Sequence, residues 1–304
     1  PADLRIPEKI YNKKSRTDIT SELGLFDFED YLSESGIDSF DTLIVGQLEM
    51  LATIKNMVVS IELPVWKNYL KWKTIDHYAG HLNQQFIEAN FDFYGTILSG
   101  KSQMKPINER AIGEITGQVF SETLGKAFVD KHFSQAAQDR VNEMVDNLLI
   151  VFDQRIKDLN WMSSGTKKQA LVKLKSIGRK LGYPDKWEDF STLNFTRDNY
   201  IKNYDDAAIY AHEKNLKKLS KKVDKEEWAM PAHMVNAYYH PLLNEIAFPA
   251  GIMQAPFFDD LYEDAVNYGR IGMVIGHEFT HGFDDMGSKF GADGSFTNWW
   301  TPND

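Results

Sequence analysis

His277-Glu278-Phe279-Thr280-His281 is the segment of this sequence whose residue types and spacing most plainly suit a chemical task. On a helix, residues four apart stand one above the other on a single face, so both imidazoles can reach one ion. Zinc accepts neutral imidazole nitrogen at about 2.0–2.1 Å, and Glu278, one position along, can meet a metal-bound water instead of the metal. Zinc lowers the pKa of that water to about 7, and the carboxylate takes its proton as the oxygen attacks a carbonyl. The pattern points to His277 and His281 as ligands of one Zn2+ per chain and to Glu278 as the general base of a hydrolysis. Two structural histidines are the competing reading, because so short a pattern also arises by chance. The preceding Ile271-Gly272-Met273-Val274-Ile275-Gly276 favours the metal: apolar with small residues, it suits a buried helix that turns the histidines toward a cleft.

His77 and His81 share the four-residue spacing, but no Glu follows His77. A structural role is the expectation for them, as for the scattered His132, His212, His233 and His240. A third metal ligand is harder to find, since no Glu occurs after Glu278. The longer three-histidine pattern would place Gly at 284 and His at 287, where Asp284 and Gly287 stand. A Glu on a following helix is then the natural third ligand. Thr301-Pro302-Asn303-Asp304 reads as the opening of such a helix, with Thr as N-cap and Pro at the first helical position; a type I turn is the alternative. The sequence also opens on Pro1 rather than Met. The chain is therefore expected to be an internal piece of a longer one, with the third ligand beyond Asp304, and to be impaired alone.

Elements that could position the motif follow from periodicity. Up to about Leu219 apolar residues recur at three- and four-residue spacing, which predicts helices over 43–60, 65–98, 107–133 and 134–159. Ser134 is the expected N-cap of the last, with Val141, Met144, Val145, Leu148, Phe152, Ile156 and Leu159 on one face. Trp66, Tyr69, Trp72, Phe86, Phe91 and Phe93 are expected to pack in a core. Thr166 with Gln169 reads as a capping box, opening a helix that carries Leu171 and Leu174 and stops near Gly182-Tyr183-Pro184. The lysine-rich run 214–225 reads as a solvated face. After Trp228 the character changes: 235–239 and 245–248 read as strands joined by the turn 240–244, ahead of a helix over 266–283.

Composition sets outer bounds. At 304 residues, 42% hydrophobic and 26% charged, the chain is globular and long enough for two domains. A net charge of −10 argues against a nucleic-acid partner. No apolar run of about eighteen residues is present, so no membrane anchor is expected within this chain. Absence of cysteine removes thiol catalysis and suits the cytoplasm, while leaving secretion or the cell surface as alternatives.

Val235-Asn236-Ala237-Tyr238-Tyr239, Glu245 through Phe258 (EIAFPAGIMQAPFF), Asn267 through Glu278 (NYGRIGMVIGHE) and His281-Gly282-Phe283-Asp284-Asp285 resemble, in order, the signature of the neprilysin family of zinc metallopeptidases. Weaker resemblance, at Leu43-Ile44-Val45-Gly46, Leu159-Asn160-Trp161-Met162 and Gly182 through Trp187, covers nearly the whole chain and is most like the bacterial endopeptidase O branch. The resemblance implies a mainly α protein with a small β component: a thermolysin-like zincin lobe plus part of a helical lobe, two lobes around a cavity in the full protein. It implies an endopeptidase that hydrolyses oligopeptides on the amino side of hydrophobic residues. Asn236 and the backbone of Ala237 would hold substrate as an added strand. Ile252, Phe257, Met273 and Val274 would line the pocket after the cut bond, and Asp284 would orient a zinc-bound His. The family's third-ligand Glu, its oxyanion-stabilising His and a substrate-binding Arg have no counterpart among these residues. The expected organisation is a helical region over 1–160 on the zinc-lobe side, a second-lobe segment over 161–205, and the catalytic core over 206–304. An aminopeptidase using the same metal pair, or a binding protein on a dead scaffold, are the alternatives. No acidic motif that would capture a free amino terminus is evident, and Glu278 is intact.

Overall fold

The computed structural model describes residues 6–24, 27–37, 40–117 and 119–304. The chain is mainly helical with little strand, and it divides into two compact units. One comprises Pro1–Glu114 and Phe190–Lys222, the other Ile115–Asp189 and Val223–Asp304. Sequence-based boundaries at 160 and 205 differ from this division. The long helix Gln135–Asp158 packs on the helix Ser164–Lys175 and on the motif helix, and the strand Gly178–Gly182 pairs with Glu245–Pro249, so residues up to 189 stay with the motif.

In the first unit the strands Asn12–Ser15 and Thr42–Val45 form an antiparallel pair. Strand therefore occupies the start of the helix expected from Leu43, and the helix begins at Leu48. The helix expected over 65–98 is broken by a 3₁₀ turn at Ala79–His81 and by the N-cap Asn83, whose side chain accepts from the Phe86 amide. Neither Leu48–Ser60 nor Leu63–Tyr78 has a buried residue, and Tyr69, Trp72, Phe86 and Phe93 are exposed rather than packed in a core. Both helices are apolar on more than one side, and a helix stacked on few neighbours covers only one. His77 and His81 pack against aromatic rings, with Tyr204 at 5.5 and 4.9 Å between centroids.

The second unit is built on a three-stranded sheet. Glu245–Pro249 lies at its centre, parallel to Gly178–Gly182 and antiparallel to Tyr238–His240. Every residue of the central strand is buried, as a strand covered on both faces requires. Gln135–Asp158 crosses the sheet, opened by Ser134, whose Oγ accepts from the Ala137 amide at 3.1 Å. Its face of Val141, Met144 and Val145 meets Ile246, Phe248, Phe258, Ile271, Ile275 and Phe279 in the main core. Burying each of these large side chains contributes about 1.5–3 kcal/mol before chain entropy is charged against it.

Two expected elements are corrected here. Ser163, not Thr166, caps the helix Ser164–Lys175: its Oγ accepts from the Thr166 amide at 3.3 Å. Thr166 is buried, and its hydroxyl donates to Asp304 Oδ2 at 2.6 Å. That helix stops at Ser176, and Gly178–Gly182 continues as the parallel strand instead of more helix. Gly178 suits this path, since a Cβ there would press on Glu245 at 3.3 Å. The helix expected over 266–283 is split at Arg270 (φ −111°, ψ −91°) into Asp264–Gly269 and Ile271–His281. The Ile271 amide donates to Phe257 O at 3.0 Å, and the Asn267 side chain bonds both backbone groups of Asp259, so a loop claims the groups a continuous helix would use.

Candidate active site

The motif helix Ile271–His281 sends Ile271, Ile275 and Phe279 into the main core. Phe279 stacks on Phe152 of the long helix at 6.3 Å, which fixes the rotation of the motif helix about its axis. With that rotation set, Glu278 lies buried, His281 half-buried and His277 exposed. The two imidazole Nε2 atoms stand 3.0 Å apart, with the rings 80° from coplanar. Two nitrogens on one tetrahedral zinc would be about 3.3 Å apart. The two nitrogens are thus spaced closely enough to share one ion.

His281 is held from behind. Asp284 Oδ2 lies 2.7 Å from His281 Nδ1, which fixes the proton on Nδ1 and leaves Nε2 a lone-pair donor. Asp284 is itself held, because its Oδ1 accepts from the Met286 amide at 2.9 Å and the Gly287 amide at 2.8 Å. Burial pushes this carboxyl up, but the bonds from His281, Gly287 and Met286 outweigh it and keep the pKa below the ordinary value. Gly287 must be glycine at this closeness: a Cβ would lie 1.8 Å from His281 O. For Glu278 the balance is reversed. Burial raises its pKa, against the lowering effects of His281, His277 and a hydrogen bond with the Tyr239 backbone.

Donor chemistry and spacing fit a zinc ion on two imidazoles. Among the described residues, no group of three His, Cys, Asp or Glu is placed to hold a metal.

The residues expected to meet substrate are partly gathered. Tyr238–His240 forms an edge of the three-stranded sheet and packs by the motif helix. Just before it, Asn236 is exposed and its Oδ1 accepts from the Ala237 amide at 2.9 Å. Ile252 is buried in the main core, with Phe257 and Val274 packed against it. Met273 stands apart from that cluster, 63% exposed, one helical turn before His277.

Two supporting residues escaped the sequence reading. Asn244, fully buried at φ 49°, accepts from the Tyr239 hydroxyl at 2.9 Å and donates to Lys173 O, Ser176 Oγ and Ala292 O. Its place at the end of a turn before a strand was the available signal. Asn244→Ala is expected to lower stability by about 2–3 kcal/mol, since several buried partners lose their bonds at once; urea unfolding measures it. Lys173 is only 1% exposed, and burial pushes its pKa down to about 8 against the opposing pull of Asp284. Nothing in the sequence separates it from Lys167, Lys168 and Lys175 on the same helix.

Two family profiles, both described as peptidase family M13, match residues 1–184 and 236–304. The chain belongs to peptidase family M13. Over 97% of its length this M13 chain is 35% identical to a neutral endopeptidase of Lactobacillus helveticus, and over 99% it is 32% identical to human neprilysin. It covers 46% and 42% of those proteins, so it spans less than half the length of the curated relatives it matches. In fold it is similar to a zinc metalloprotease of Mycobacterium tuberculosis solved in complex with an inhibitor, with a TM-score of 0.93 and 36% identity over 99% of this chain and 46% of that one. The resemblance to the neprilysin family and the mainly α fold with a small β component are both borne out.

Proposed function

We propose that this M13 chain carries the two-histidine metal motif and general base of a zinc-dependent endopeptidase. The observation that carries the reading is the convergence of His277 and His281 Nε2 at 3.0 Å beside buried Glu278, with His281 oriented by Asp284. Zinc, when bound, supplies Lewis acidity and a water of lowered pKa. His277 and His281 would hold the ion. Glu278 would take the water proton and pass it to the leaving amine, and burial raises its pKa, which strengthens it as a base. Catalytic zinc normally keeps three protein ligands, so the reading includes a third ligand besides the two histidines, and among the described residues none is placed with them. One ion per chain is part of the same reading.

Tyr238–His240 is an edge strand beside the motif helix, and with Asn236 and Ala237 leading into it would be the place where an extended peptide adds as a strand. Oligopeptides are the proposed substrates, cut on the amino side of hydrophobic residues. Ile252, Phe257, Met273 and Val274 would receive that side chain. Phe257→Ala in the intact protein is expected to shift preference toward bulkier side chains after the cut bond. The shift should reach 10-fold or more in relative kcat/KM, since one methylene of pocket volume is worth about 1–3 kcal/mol. A library of blocked peptides varied at that position reads the change.

An internally hydrophobic peptide, blocked at its amino terminus, tests the whole reading. The intact protein is expected to cleave it, to stop on chelation and to resume when zinc is returned. Cleavage indifferent to chelation, or confined to free amino termini, would overturn the proposal.

A further inference from the structure

We infer that Lys173 is a positioning residue for the metal site, acting through the turn that holds Asp284. The inference rests on the metal reading above. Lys173 lies on Ser164–Lys175, a helix with no residue in the motif, yet its ammonium is among the most deeply buried groups in the chain. Its Nζ donates to Gly287 O at 2.6 Å and to Phe290 O at 2.7 Å. The rings of Phe283, Tyr239 and Trp299 surround it at 5.6–5.8 Å. A lysine in such a place requires explanation, because an apolar side chain would fill the space without the desolvation penalty of a cation.

The explanation lies in what its acceptors do. Gly287 opens the 3₁₀ turn Gly287–Lys289, and Phe290 follows it. The amides of Met286 and Gly287 are the donors that fix Asp284 Oδ1, and Asp284 Oδ2 fixes His281 Nδ1. The same Gly287 thus gives its N–H to Asp284 and its C=O to Lys173. One peptide turn links a buried cation to a histidine that holds the metal. Indole N–H groups of Trp299 and Trp300 also bond this turn, at Phe290 O (3.1 Å) and Ser288 O (2.9 Å), but charge-assisted bonds are about twice as strong as neutral ones, and Gly287 O takes its bond from Lys173. Cation–π attraction from three rings steadies the ammonium without offering it a competing acceptor. The carboxylate that orients His281 is therefore anchored at both ends: to the histidine in front, and through the turn to a different helix behind.

Three measurements on the intact protein decide the matter. Lys173→Met is expected to weaken Zn2+ affinity about 10-fold or more, in the range for groups that orient ligands from behind, measured against a competing chelator. It should also shift the visible bands of the Co2+-substituted protein. Val129→Ala, a core truncation in the same unit outside this network, should lower thermal stability while leaving Zn2+ affinity and the Co2+ spectrum unchanged. If Lys173 acts through Asp284, the double variant with Asp284→Asn binds Zn2+ no more weakly than Asp284→Asn alone. Affinity within two-fold of the parent in Lys173→Met, or full additivity in the double variant, would overturn the inference. Should Lys173→Met not fold, amine labelling decides instead: Lys173 should be labelled more slowly when Zn2+ is bound and faster in Asp284→Asn. Equal labelling in all three forms would refute the coupling. A parent protein that binds no Zn2+ through its histidine pair would defeat the metal reading itself, a result distinct from any of these.

Discussion

Glu278→Gln in the intact protein is expected to retain zinc and to lose peptide hydrolysis by about 10²–10⁴-fold in kcat. The amide occupies the same buried space and can still hydrogen-bond a water, so binding and fold should be undisturbed. It cannot accept the proton that must leave as the new carbon–oxygen bond forms. Glu278 is only 6% exposed, which limits the access of bulk water as a substitute base. Metal content by mass spectrometry, together with single-turnover cleavage of a blocked peptide, separates the two effects. Activity within a few-fold of the parent would remove Glu278 from the role of base.

His281→Ala should remove metal and activity together, because it deletes one of two convergent nitrogens and leaves Asp284 with no ring to orient. His277→Ala should do the same, with less disturbance of its surroundings, since His277 is exposed. The comparison that gives these results meaning is His77→Ala. His77 has the same four-residue partner in His81, but its ring lies among Tyr78 and Tyr204, and its loss should leave metal content and rate unchanged. Metal stripped by His77→Ala would show that the wrong histidine pair had been chosen.

The motif was legible because its chemistry is local. Ligand spacing and the intervening Glu are properties of one helix, whereas the expectation for Asp284, which lies beyond that helix's end at His281, came from the family resemblance. The hairpin before it was legible for a similar reason: a turn between two β-prone runs is written in consecutive residues. What could not be read depended on partners far along the chain. Gly178–Gly182 looked like the tail of a helix because a parallel strand declares itself only through its neighbour, and that neighbour is Glu245–Pro249. The break at Arg270 follows from an amide taken by Phe257 O and from an Asn267 side chain tied to Asp259. The aromatic residues of Leu63–Tyr78 were assigned to a core because ring content measures the apolar surface to be covered, not the number of elements available to cover it. Lys173 was invisible for the plainest reason, since the same helix carries Lys167, Lys168 and Lys175.

The parallel pairing of Gly178–Gly182 with Glu245–Pro249 has a consequence for biosynthesis. A ribosome adds about 5–20 residues per second, so the earlier strand emerges several seconds before its partner exists. During that interval the nascent chain displays an unpaired, partly apolar strand edge, with the long helix Gln135–Asp158 already made and its inner face uncovered. Intervening residues 190–222 build the other unit in the meantime. Such a chain invites binding by chaperones at the ribosome exit, and strand edges left waiting are where nascent chains pair with one another. Slowed translation between residues 182 and 245 should therefore increase aggregation of newly made protein more than an equal delay placed after residue 249.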